Sequence, residues 1–173
     1  RRQRQMCIRD SKDSEYLWMK NYLQLDGLVY KLVPIETPVN PENPYQMGRI
    51  DANTMYEIVK KWKWGNSESD KIYHDPETRK NSITFRSNLH RLAEKFISLG
   101  DNSKALEILD LSFEKLPIEY FGYYSLSEPY ILSYYKIGEN NKAQNLYKTI
   151  EAKYLDQIKY YSISMKEFED IFD

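Results

Sequence analysis

One pattern occurs twice in this chain and limits what it can fold into: an aromatic residue, a glycine four positions on, and an alanine five positions after that. Phe96, Gly100 and Ala105 form the first copy; Tyr134, Gly138 and Ala143 form the second, 38 positions along (96 to 134). Apolar residues at helical spacing flank both. Phe85, Leu89, Leu92, Ala93, Phe96 and Leu99 recur at intervals of three and four before Gly100, and Ala105, Leu106, Ile108, Leu109 and Phe113 do so after it. This is how two amphipathic helices look when they fold back on each other across a turn in which glycine takes the left-handed C-terminal cap. The second copy predicts a second hairpin, opening after Ser127 with Pro129 in its first turn and running through Leu146, Tyr147 and Ile150 to about Ile158. Stacked helical hairpins bury one face and offer the other, a plan suited to binding more than to chemistry.

The N-terminal part is more mixed. Tyr16, Leu17, Met19, Tyr22 and Leu23 share a helical face and predict a helix from Asp13 to about Gln24, with Asp13 or Ser14 as N-cap. Leu28–Val33 is rich in β-formers and stopped by Pro34, so it reads as a strand. No partner strand is evident, and the expectation is an orphan whose sheet lies outside this sequence. The proline-rich stretch 36–48 reads as loop. Asp51 is the expected N-cap of a helix that buries Met55, Tyr56, Ile58, Val59 and Trp62 and closes at Gly65-Asn66. Asp75-Pro76 is an N-cap followed by proline at the first helical position, and Ser164-Met165-Lys166-Glu167 is a capping-box pattern opening a short last helix. The fold class expected is mostly α: helical hairpins with capping helices and one short β-strand segment. The divisions are 12–66 (helix, strand, loop, helix), 67–75 (linker), 76–160 (two hairpins) and 161–173 (C-terminal capping helix).

Residues 1–11, RRQRQMCIRDS, are set apart. They resemble, residue for residue, the in-frame translation of a transposase-based sequencing adapter; the alternative reading is a basic arm for nucleic acid or anionic lipid. Without them four arginines and one aspartate leave, so the net charge moves by three from -1 to -4, and the only cysteine, Cys7, leaves too. Neither a basic footprint nor a thiol then remains to support nucleic-acid binding, disulfides, thiolate catalysis or Cys-ligated zinc. Absence of cysteine suits a periplasmic or extracellular location. No apolar run approaches the roughly 18 to 20 residues that span a bilayer, so no direct membrane insertion is expected of these residues. An adapter abutting Lys12 implies that the native coding sequence continues upstream.

The hairpins resemble the tetratricopeptide repeat. Leu89, Leu92, Ala93, Phe96, Gly100, Ala105, Leu109, Ser112 and Pro117 sit in that repeat's register, whereas in the second copy Ile131 replaces a small residue. The wide spacing implies extra residues between hairpins near Glu119 to Tyr124, and two hairpins need flanking helices as caps. A broader resemblance rests on Tyr22 to Ile35, Gly48-Arg49-Ile50, Met55-Tyr56 and Lys63-Trp64-Gly65-Asn66, in that order. Together with the helices behind them, these segments are similar to the C-terminal soluble region of a bacterial family of multi-pass membrane proteins of unknown function. That family resembles glycosyltransferases of the C superfold, including protein O-mannosyltransferase relatives. The resemblance implies a parent that uses a lipid-linked sugar donor and holds this domain on the periplasmic face of the inner membrane, with its catalytic residues outside this sequence.

No catalytic, cofactor-binding or metal-binding residue is expected here, and no cofactor. His74 and His90 lack a metal-ligand spacing, and paired carboxylates such as Asp101 and Glu107 suit caps and a solvated face. Candidate partner-binding residues fall in three groups. Trp62 and Trp64 offer indole faces suited to a pyranose, against the plainer role of core packing. Tyr120, Tyr123 and Tyr124 occupy the enlarged connection, where rings fill irregular stacking or present a ligand surface. His90, Glu94 and Tyr135 lie at groove positions, along with Ser87, Ile97, Glu128 and Leu132; this set lacks the Lys and Asn that capture a peptide carboxylate, and His90 is expected at a solvent or groove position. The functional expectation is a non-catalytic accessory domain of a membrane glycosyltransferase-like protein, its partners the parent membrane domain and an acceptor polypeptide. The alternative is a self-contained soluble adaptor that binds peptides or proteins in its groove.

Overall fold

A computed structural model describes residues 17–41 and 46–172, with side chains placed over 19–41 and 46–162. The chain divides into two compact units, 1–61 and 62–173.

In the first unit, Leu17–Tyr22 forms a 3-10 segment that leads directly into strand β1 (Leu23–Asp26). A two-residue turn opened by Gly27 at φ 71° returns the chain as β2 (Val29–Leu32), antiparallel, with Leu23 opposite Leu32 and Leu25 opposite Tyr30. The expected orphan strand therefore has a partner, and the partner was expected to be the end of a helix. The reason lies in Leu23-Gln24-Leu25-Asp26, which alternates with period two; the three-and-four spacing that precedes it stops at Tyr22. The predicted start of that helix, 13–16, lies outside the described residues. On its other side β1 meets Arg49 in a parallel bridge, with Leu25 N–H donating to Arg49 O and Arg49 N–H to Leu23 O, both at 2.9 Å. β1 is thus flanked on both sides and largely buried, while β2 is exposed. Gly48 makes this possible. At φ 80° its missing Cβ would stand 3.0 Å from the Tyr30 ring and 3.3 Å from the Leu23 carbonyl oxygen.

Helix α1 (Ala52–Lys60) packs on β1, burying Ala52, Met55, Tyr56 and Val59. Asp51 caps it as expected, accepting from Thr54 N–H at 3.0 Å. The helix stops at Lys60, so Trp62 is not part of its stripe; it opens the second unit.

The second unit is built from α2 (Pro76–Ser98), α3 (Asn102–Lys115), the short α4 (Ile118–Phe121), α5 (Glu128–Lys136) and α6 (Asn140–Phe172). Asp75 caps α2 through Glu77 and Thr78 N–H, and Asp101 caps α3 through Lys104 N–H. The two predicted hairpins form: α2 packs on α3, α5 on α6, and α5 lies against both α2 and α3. Leu89, Leu92, Ala93 and Phe96 of α2, Ala105, Ile108 and Leu109 of α3, and Ala143, Leu146 and Ile150 of α6 are buried around Tyr130 and Tyr134 of α5. Ala93 and Ala105 have no exposed surface, as two helices in close approach require.

Two expectations change. The stretch 67–75 is no free linker: Ser67 Oγ donates to Lys115 O at 2.6 Å and Lys115 Nζ meets Glu68 at 3.0 Å, which ties it to the end of α3. The separate last helix merges into its neighbour, because α6 continues unbroken for 33 residues. No glycine or proline interrupts 140–172, and extending a helix costs far less than nucleating another, so the capping-box pattern at Ser164 is overridden.

Candidate functional site

Trp62 and Trp64 pack with Phe85 of α2. The three ring centroids lie 5.2 to 5.5 Å apart, with the two indoles edge to face. Both tryptophans are half-buried, so much of their ring surface is spent on α2.

His90 departs from expectation more clearly. It is buried, not groove-facing, because α5 stacks over it: Nε2 lies 3.0 Å from Ser133 Oγ and the ring sits 4.8 Å from that of Tyr130. Burial pushes its pKa below the ordinary 6.5; Glu94, 3.7 Å from Nδ1, pulls it up and Lys136 pushes it down. Glu94 is half-exposed and meets Lys136 at 4.0 Å. Beside that pair, Leu132 and Tyr135 share one face of α5 and are 65% and 43% exposed. This face of α5 therefore presents an apolar and an aromatic side chain edged by an ion pair.

The connection between hairpins divides its aromatic residues by role. Phe121 is buried and fills the irregular junction, while Tyr120 stacks on His74, ring centroids 5.5 Å apart and 15° from parallel. Tyr123 takes the left-handed conformation, φ 51°, and its side chain reaches the surface. Tyr124 meets Tyr154 of α6 edge to face at 6.0 Å. Tyr154 donates to Glu128, a bond that holds its hydroxyl pKa up at about 12. Between these rings and the first turns of α2 lies an open cleft of about 550 Å³, lined by Arg79, Lys80, Tyr123, Tyr124, Tyr154 and Gln157 among others. A second cleft, about 520 Å³, is lined by Tyr73, His74, Arg79 and Tyr120 with residues 70–72. Arg79 belongs to both. Among the described residues no three His, Cys, Asp or Glu side chains are grouped to hold a metal ion, and no helix is long and apolar enough to cross a membrane.

Arg86 was not among the residues expected to matter. It has no exposed surface, and its guanidinium donates to Gly122 O and Ser127 Oγ, both at 3.0 Å, and to Leu116 O. It also lies 5.5 Å from the Phe113 ring centroid. One side chain thus gathers the whole 116–127 connection. Burial lowers its pKa, opposed by Tyr130 and Glu119. A signal was present in the sequence: Ser82, Arg86, Leu89, Ala93 and Phe96 keep helical spacing, placing a cation on the apolar stripe.

Comparison with known families finds a likeness within the first unit, up to the start of α1. Residues 2–54 match the model of a family described as TMEM260-associated domain 2. The match begins inside the segment that resembles an adapter and ends in the first turn of α1, so the helical hairpins lie outside it. No curated protein and no solved structure matches the chain. The N-terminal part of this mostly helical chain is thereby linked to a TMEM260-like family.

Proposed function

We propose that this chain is a non-catalytic interaction domain of a membrane glycosyltransferase-like protein related to protein O-mannosyltransferases, held on the periplasmic face of the inner membrane. Its helical hairpins dock on the parent's membrane domain and help to recruit the acceptor polypeptide. The family match over residues 2–54 supports the link to a membrane protein. The single structural observation behind an interaction role is the exposed face of α5, where Leu132 and Tyr135 remain uncovered beside the Glu94–Lys136 pair. Exposed apolar side chains grouped on one face and rimmed by charge mark a protein-binding surface.

A photo-crosslinking amino acid at Leu132, in cells that express the complete gene, tests this reading. Adducts within the same polypeptide's membrane part, or to a secreted polypeptide, are expected, and Tyr135→Ala should weaken them. A complete reading frame with no multiple apolar spans beside this domain refutes the membrane assignment. The same exposed face also favours a peptide-binding adaptor. In that case the isolated chain binds an extended peptide, and Leu132→Glu abolishes binding without altering the melt.

A further inference from the structure

Arg79 stands in the first turns of α2, where two aromatic clefts meet. Its guanidinium has no hydrogen-bonding or ionic partner among the described residues, and its Nε is sealed from solvent. Four buried side-chain nitrogens in the described structure lack partners, and three of them belong to Arg79 and His74. Buried polar atoms are almost always satisfied, so a concentration of unsatisfied ones at one place calls for a missing partner there. Of the two residues, the arginine specifies that partner's chemistry. Its planar fork of donors fits a carboxylate or phosphate.

We infer that Arg79 anchors a binding site for a small oxyanion, phosphate or carboxylate, carried on a flat ring. The surroundings fit both halves of such a ligand. Lys80 lies on the same rim; its pairing with Glu77 at 2.6 Å is exposed at both ends, so it exchanges for a better anion at little cost. No acidic side chain lines the larger cleft. The rings of Tyr123, Tyr124 and Tyr154 border it, and aromatic faces and edges take up a planar group by stacking. Tyr123 is one of two non-glycine residues with positive φ among those described. Such backbone strain persists where the surroundings enforce it, commonly at ligand sites, and here it turns an aromatic residue toward the cleft mouth. The volume suits a ligand of drug-like size. On the far side of Arg79, His74, with both ring nitrogens buried and unpartnered, is part of the second cleft's lining. The inference does not depend on what occupies the exposed face of α5.

The test uses the full chain in phosphate-free buffer, with phenyl phosphate, inorganic phosphate and phenol followed by calorimetry and amide chemical shifts. Phenyl phosphate should bind more tightly than either fragment and shift resonances of Tyr123, Tyr124 and the start of α2. Arg79→Gln should weaken binding about tenfold or more, since it removes charged hydrogen bonds. Tyr123→Ala should weaken phenyl phosphate while leaving inorganic phosphate unchanged. If Arg79→Gln fails to fold, Lys80→Gln, at an exposed position, serves instead and should weaken both anions. Failure of all three probes to bind at millimolar concentration, or equal affinity in the arginine and lysine variants and the parent, overturns the inference.

Discussion

The hydroxyl of Tyr130 donates to the main-chain carbonyl of Arg86 across 2.6 Å, joining α5 to α2 at the point where the Arg86 side chain turns away toward the connection. The same hydroxyl lies 3.0 Å from Ser112 Oγ on α3, so one buried phenol ties three helices together. Tyr130→Phe keeps the ring and removes these bonds. It should destabilise by about 1 kcal/mol, because the Ser112 hydroxyl retains its own helix carbonyl as an alternative acceptor. Urea unfolding measures the change, and an unaltered midpoint would show that the two bonds add nothing to folding.

Arg86 should tolerate far less. Replacing it with alanine leaves the carbonyls of Leu116 and Gly122 without their donor and opens a cavity, so a loss of more than about 3 kcal/mol is expected. Arg86→Met refills much of the volume but supplies no donor. A methionine variant as stable as the parent would mean that packing, not the gathering of carbonyls, holds the connection.

His90 predicts a pH effect of definite sign. Its pKa is lowered in the folded chain, chiefly by burial, so the unfolded chain binds the proton more readily as pH falls through the ordinary value of 6.5. Stability from this group is therefore complete above about pH 7.5 and is lost on acidification, by at most about 1.4 kcal/mol per pH unit. Comparing Tm at pH 7.5 and 5.5 for the parent and His90→Gln isolates the contribution from that of the carboxylates. The glutamine variant should show the smaller drop; equal drops would remove His90 as the cause.

Two glycines with similar backbone angles should respond differently to alanine. Gly100 (φ 78°) has open space around its missing Cβ, so Gly100→Ala should cost only the left-handed backbone penalty, about 1 kcal/mol. Gly48 (φ 80°) adds contacts at 3.0 Å with the Tyr30 ring and 3.3 Å with the Leu23 carbonyl. The backbone oxygen cannot swing aside as a side chain can, so Gly48→Ala should cost measurably more and loosen the Arg49 bridge to β1. Amide exchange at Leu25 and Arg49 reports that loosening directly.

The hairpins were legible because small residues and glycines at turns carry strong local signals: Gly100, Ala93 and Ala105 each have one physically easy reading. The caps Asp51 and Asp75 were legible for the same reason. The β-hairpin was not, because four residues of alternation followed directly on a helical pattern and the longer pattern was extended over the shorter. His90 and Arg86 show a different limit. Both belong to helix faces whose burial depends on α5 and the 116–127 connection, and only the stacking of one hairpin on the next decides what those faces meet. Arg79 had no local signal, since an arginine in a first helical turn is ordinary on any surface until two clefts are found on either side of it.

Helix α2 has 23 residues and its partner α3 only 14, so at about 1.5 Å per residue the first helix outreaches the second by roughly 13 Å. That surplus length is a ledge. Arg79, Phe85 and Arg86 all stand on or near it, covered by irregular chain in place of a mate helix, whereas Leu89 to Phe96 do the work of stacking farther along. Scaffold and ligand chemistry therefore occupy separate lengths of a single rod. Arg86 is fixed there by the carbonyls it gathers, whereas exposed residues of the ledge such as Lys80 can change without disturbing the register of the repeats farther along.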